Sequence, residues 1–269
     1  MFWWTFISGP ALSFLILIPL GIKWDLDKKV TLPAACIIGI LSGAAMAGIM
    51  AVRGLNFPQV LLLQIILIIA TSAALLLWRF YRDPERVSPG DENVILSPAD
   101  GKIIYIKKVE RGEVPFSQKN GKRFPLSDFT KSDILPLDGY LIGISMNFLD
   151  VHVNRAPVGG KICLLNHIKG LFISLKRGEA LVQNERVLTV IDNGRFKVGI
   201  IQIASRLVRK IVPYIKEGFE VQGGQRIGAI RFGSQVDIFL PALTSLCIKV
   251  DLGEKVKAGA SIVATFDKK

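Results

Sequence analysis

The chain has 269 residues, 50% of them hydrophobic, with a mean hydropathy of +0.42 and a formal net charge of +12. That apolarity excludes an ordinary soluble globule, and three dispersed cysteines (Cys36, Cys163, Cys247) with no CxxC pair give no basis for a disulfide scaffold or a metal site. The apolar excess lies in the first 79 residues, which hold five basic and two acidic side chains, so +9 of the charge belongs to the remainder.

Three uncharged apolar runs open the chain, at 2–22, 30–52 and 57–78. Each is long enough to cross a hydrocarbon core of roughly 30 Å as a helix. The second is rich in small residues (Gly39, Gly43, Ala44, Ala45, Ala47, Gly48), a composition suited to close helix packing in lipid. Trp3, Trp4, Trp24 and Trp78 fall at run ends, where indole rings favour the membrane interface. The first run lacks the basic start and the small-residue cleavage site of a signal peptide.

Orientation follows from the loops. Lys23, Lys28 and Lys29 lie in the first connection, and Arg79, Arg82 and Arg86 follow the third run. Only Arg53 lies in the second connection. Basic loops stay inside, which predicts a cell-membrane protein whose large domain is cytoplasmic. The orientation is the same if the first run only lies in the interface.

From Asn93 the texture changes to short Val/Ile-rich segments, at 102–109, 140–145, 186–190, 196–202 and 236–240, punctuated by Gly, Pro and Asp. These read as strands of a mainly β (α+β) domain. One helix is predicted at 203–212, stopped by Pro213. The tail, 246–250, 255–258 and 262–265, reads as strand, turn, strand, turn, strand. It resembles the barrel-sandwich half of lipoyl carrier domains, but Lys249 falls inside a strand pattern rather than at an exposed turn, which argues against a carrier function.

Three clusters could carry chemistry. Asn147, Asp150, His152, Asn154 and Arg155 surround one of only two histidines. A lone histidine in a strand is more often structural than catalytic, and His167, near Lys169, reads as structural. Ser97-Pro98-Ala99-Asp100-Gly101 is ordinary turn chemistry by itself. Arg231-Phe232-Gly233-Ser234 enters a strand without the GxSxG elbow of the α/β-hydrolases. On the residues alone, Asp100, His152 and Ser234 also admit a membrane-anchored serine hydrolase. A basic domain beside a bilayer suits anionic lipid headgroups, and no nucleic-acid-binding motif is present.

Six segments in order carry a specific resemblance: Tyr81-Arg82-Asp83-Pro84, Ser97-Pro98-Ala99-Asp100-Gly101, the stretch 147–157, Asn184-Glu185-Arg186, 198–212 and Phe232-Gly233-Ser234. Together they resemble the phosphatidylserine decarboxylase family, in its short bacterial and archaeal form, over about residues 80–269. The resemblance implies a membrane region, 1–79, and a pyruvoyl-dependent decarboxylase domain, 80–269. It further implies a proenzyme that cuts itself at Gly233–Ser234 into chains 1–233 and 234–269, the second beginning with a pyruvoyl group made from Ser234. That group would form a Schiff base with phosphatidylserine and yield phosphatidylethanolamine. By the same resemblance Asp100 and His152 assist processing and proton transfer, with His152 a proton carrier titrating near neutral pH.

Two positions depart from the family pattern. Arg155 stands where longer members have a second histidine, and Gln235 stands where a basic residue is frequent. Arg155, Arg186, Lys176 and Arg177 are candidates to grip the phosphate or carboxylate of the substrate, since both favour Arg, although the last two read better as solvated surface. Relatives of the short form include enzymes for archaeal ether lipids (archaetidylserine), so the tail chemistry stays open, as does homo-oligomerisation.

Overall fold

The computed structural model describes residues 3–24, 26–91, 93–115, 123–175, 180–205, 210–231 and 234–266. Two compact units divide them: Met1–Arg82 with Asn147–Leu149, and Asp83–Met146 with Asp150–Lys269.

The first unit is built on three helices, α1 (Thr5–Lys23), α2 (Lys28–Arg53) and α3 (Phe57–Phe80), each long and apolar enough to cross a membrane. Local chemistry sets their ends. The Asp27 carboxylate accepts from the Lys29 amide at 3.0 Å and caps α2, while Gly54, at φ +54°, closes it. Asn56 and Gln59 form a reciprocal capping box at the start of α3. The buried positions of α2, from Ala35 through Ile38, Gly39, Ser42 and Gly43 to Met46, recur every three or four residues and form one stripe.

Glycine is required along that stripe. A Cβ on Gly39 would lie 2.5 Å from Pro10 Cα, and one on Gly9 would lie 2.3 Å from the Gly39 carbonyl. The polar groups enclosed there are paired, as a water-free environment demands. Ser13 donates to the Ala35 carbonyl at 2.7 Å, and Gln64 donates to the Thr5 carbonyl at 3.1 Å and accepts from Ser8 at 2.8 Å.

The second unit mixes strands with two short helices. Its elements are β1 (Val94–Leu96), β2 (Gly101–Val109), β3 (Glu113–Pro115), β4 (Arg123–Pro125), α4 (Leu126–Thr130), β5 (Gly139–Met146), β6 (Val153–Arg155), β7 (Gly160–Ile168) and α5 (Ala180–Gln183). There follow β8 (Arg186–Asp192), β9 (Lys197–Ile203), β10 (Lys210–Pro213), β11 (Glu220–Val221), β12 (Arg226–Arg231), β13 (Ser234–Pro241), β14 (Cys247–Ile248), β15 (Lys255–Val256) and β16 (Ile262–Thr265). The main sheet runs β11-β7-β8-β9-β13-β5-β2-β15, antiparallel throughout. Two smaller sheets, β10-β12-β6 and β1-β16-β14, accompany it.

Both faces of the main sheet are covered, so its central strands read as continuous apolar runs rather than alternating ones. On β13, Val236, Ile238 and Leu240 enter one cluster with Ile144, Ile230 and Val263. Phe239 enters the other with Leu141, Phe129 and Leu188.

The helix predicted at 203–212 is not formed by the described residues of that stretch. Ile203 completes the ladders of β9 to Arg186 and Gln235, and Lys210–Pro213 pairs with Gly228–Arg231. Pro213 ends an edge strand, where a missing N–H is tolerated. Residues 206–209 lie outside the described residues. The three tail strands are shared between sheets: β15 pairs with β2, whereas β14 and β16 pair with each other.

Candidate active site

Two of the sequence clusters meet in the second unit. The turn at Ser97–Asp100 precedes β2, and His152 directly precedes β6. They are laced together through backbone: the Arg155 amide donates to the Pro98 carbonyl at 2.9 Å, and the Val151 amide to Asp100 Oδ2 at 3.3 Å. Asn154, fully buried, donates to the Pro98 carbonyl at 3.3 Å and accepts from Gln202 at 2.8 Å.

Asp100 is buried and fully engaged. Arg86 grips it with both terminal nitrogens, at 2.5 and 2.8 Å, and the Ala258 amide donates to Oδ1 at 2.8 Å. A carboxylate held this way is a fixed negative charge. Arg86 also donates to the Ala258 carbonyl at 2.7 Å, tying the segment after α3 to the tail.

His152 is 3% exposed. Its Nδ1 lies 2.9 Å from the Asp150 carbonyl, which can only accept, so the neutral ring is protonated on Nδ1 and carries its lone pair on Nε2. Burial pulls its pKa from the usual 6.5 down to about 4, against weaker upward pulls from the Asp150 carbonyl and the Asp100 charge. The expected titration near neutral pH is therefore corrected: the imidazole is uncharged at pH 7.

The strands on either side of residues 232–233 are held by backbone pairing. The Ile230 amide donates to the His152 carbonyl at 3.0 Å, and Ser234 opens β13 opposite Met146 of β5. Gly233 lies outside the described residues, as do Lys176, Arg177 and the Ser234 side chain.

Arg155 and Arg186, expected to grip substrate, are bound to the protein instead. Arg155, 4% exposed, donates to the carbonyls of Gly224 and Pro84 at 3.0 and 3.1 Å and to Asp83 at 3.4 Å. Arg186, 1% exposed, donates to the carbonyls of Phe129, Val182, Asn184 and Asp128 at 2.6, 2.7, 2.9 and 3.0 Å. Burial lowers its pKa to about 10. Asp83 of the first motif is shared by Arg155 and Arg226.

A second polar cluster was not foreseen. The carboxyl of Asp237, fully buried on β13, accepts from Tyr105, and Gln235 donates to Asp237 Oδ1 at 2.6 Å and to the Tyr105 hydroxyl at 2.8 Å. Burial pushes Asp237 from 3.8 up to about 7, despite the hydrogen bonds from Gln235 and Tyr105 and the charge of Lys107. The Tyr105 hydroxyl is held well above its usual range by burial and by Asp237. Gln235, puzzling in the sequence, thus acts as a neutral bridge. Only the i, i+2 spacing of two polar residues within an apolar strand could have signalled it.

With this geometry in hand, comparison with known proteins is decisive: the family model for phosphatidylserine decarboxylase matches residues 73–264. The chain belongs to the phosphatidylserine decarboxylase family. A relative in Methanocaldococcus jannaschii, provisionally named an archaetidylserine decarboxylase proenzyme, is 44% identical over 69% of this chain and 87% of its own length. One of the same provisional name in Methanothermobacter thermautotrophicus is 41% identical over 70% of this chain and 80% of its own. The phosphatidylserine decarboxylase proenzyme of Desulfotalea psychrophila is 36% identical over 75% of this chain and 83% of its own. The family match starts within α3, so most of the helical region lies outside it.

Proposed function

We propose that this chain is a membrane-bound proenzyme that cuts itself at Gly233–Ser234 and then removes CO2 from the serine headgroup of a phospholipid. The observation that supports the reading is the backbone lacing of Asp100 to Val151 and of Ile230 to His152, in a chain of this family. The hydrolase and carrier readings lose their footing with the family established.

In processing, Ser234 Oγ adds to the Gly233 carbonyl and the peptide nitrogen leaves, converting the amide to an ester. Loss of the Ser234 α-proton then expels the upstream chain as a carboxylate. Water replaces the amine of the dehydrated residue, releasing ammonia. His152 suits the proton steps, because its ring is uncharged at neutral pH and Nδ1 is fixed on the Asp150 carbonyl. Asp100, clamped by Arg86, supplies a fixed negative charge that stabilises the imidazolium as it forms. These residues fit a pyruvoyl group at position 234, which supplies a ketone electron sink for decarboxylating a primary amine.

The basic residues at the helix ends support a cytoplasmic catalytic unit by the positive-inside rule: Lys23, Lys28, Lys29 and Arg79 lie at one end, against Arg53 at the other. The tail strands β14–β16 are read as a barrel-sandwich-like part of the small chain.

The test is the intact mass of the wild type beside Ser234→Ala. Two wild-type fragments split after Gly233, the smaller with an N-terminal pyruvoyl mass, are expected beside an uncut variant. A single uncut chain in material that decarboxylates phosphatidylserine vesicles overturns the processing scheme.

A further inference from the structure

The helical unit contains a cavity of about 650 Å³, within the range of small-molecule sites. Its walls come from the second half of α1, the first half of α2 and the second half of α3, so it lies at one end of the bundle. That is the end bearing Lys29 and Arg79, both of which line it. The rest of the lining is overwhelmingly apolar, including Ala34, Ala73 and Leu76.

Two features mark it as more than a packing gap. Ser72 lines it, and the Ser72 hydroxyl is buried without a hydrogen-bond partner among the described residues. Ser72 precedes Arg79 by seven residues on α3, about 10 Å deeper along the axis. Leu149 also lines it, three residues before His152 in the chain. The Leu149 loop is seated on this unit: Arg82 donates to the Leu149 carbonyl at 2.9 Å, and the rings of Phe148 and Trp24 lie 5.0 Å apart.

We propose that this cavity holds one acyl chain of a glycerophospholipid, with its phosphate at Lys29 and Arg79 and Ser72 donating to the ester group below it. An apolar shaft under two cations, with one unsatisfied donor about 10 Å in, repeats the order of tail, linkage and phosphate in such a lipid. On the reading above, that lipid is the substrate.

The test uses the full chain in nanodiscs and does not depend on turnover. A phosphatidylserine and a diacylglycerol, each with a diazirine in one acyl chain, are photolysed on the wild type, Ala34→Phe and Lys29→Ala/Arg79→Ala, and labelled peptides are mapped. Monodispersity and unchanged thermal midpoints confirm that the variants fold. Phosphatidylserine label concentrated at the cavity walls, abolished by Ala34→Phe, is expected. The double variant should lose about fivefold per cation for phosphatidylserine and little for diacylglycerol. Label spread evenly over the lipid-facing surfaces, or undiminished by Ala34→Phe, overturns the proposal. Cavity labelling in a protein that fails to decarboxylate would sink the catalytic reading and leave the lipid seat standing.

Discussion

Arg86 holds both carboxylate oxygens of Asp100, at 2.5 and 2.8 Å, from a position fourteen residues upstream. Both side chains are at least nine-tenths buried, 10% and 8% exposed. Removing one member of such a pair leaves an uncompensated charge inside the protein, at a cost of about 3 kcal/mol. Arg86→Ala should therefore lower the thermal midpoint by about 8 °C. It should also slow self-cleavage, as followed by the appearance of the two fragments on gels. Arg86→Lys should recover only part of either loss, because a single ammonium cannot reproduce the two-point grip. A midpoint within a degree of wild type for Arg86→Ala would contradict the pairing.

Stability should fall on acidification through His152. Its folded pKa, about 4, lies below the usual 6.5, so between these values the unfolded chain binds the extra proton. The contribution is complete above pH 6.5 and is lost as pH falls toward 4, amounting to roughly 3 kcal/mol. Thermal midpoints between pH 7 and 4.5 should drop more steeply in the wild type than in His152→Gln. Parallel curves would show that the ring is not held neutral by burial.

Asp237 works in the opposite direction. Its folded pKa, about 7, lies above the usual 3.8, so the folded state holds the extra proton and stability declines as pH rises through that interval. Asp237→Asn, which cannot ionise, should flatten the slope between pH 5.5 and 8. The carboxyl stretch of Asp237, isolated by infrared difference against the variant, should titrate near neutrality. A carboxylate band persisting at pH 5 would refute this.

In the helical unit, Gly39→Leu should lower the thermal midpoint in detergent, since even a Cβ there would meet Pro10 Cα at 2.5 Å. Gly48→Leu is the control. Nothing lies within 4 Å of a Cβ at Gly48, and leaving out glycine from a helix interior gains about 0.5–1 kcal/mol. Equal effects of the two substitutions would mean that α1 and α2 do not pack through this stripe.

The three apolar helices, the β character of the remainder and the family itself were legible in the residues, because they depend on local quantities: run length, short Val/Ile segments and motifs in fixed order. At its described residues the helix predicted at 203–212 gives way to strand because neighbours distant in sequence claim them, with Ile203 between Arg186 and Gln235 and Ile211 opposite Ile230. The same limit applies to Arg155 and Arg186. A sequence shows a guanidinium and its affinity for phosphate, but not the carbonyls of Gly224, Pro84 or Phe129 that fold around it first.

What the sequence determined by itself was therefore composition-borne: helices long and apolar enough to cross a membrane, a basic β-rich domain, and the identity of the residues available for chemistry. Only tertiary structure decided their electrical state. Arg86 fixing Asp100, burial keeping His152 neutral and Gln235 bridging Asp237 to Tyr105 each depend on which groups surround a side chain and how much water is excluded. Those are properties of long-range packing, to which charge is far more sensitive than backbone conformation.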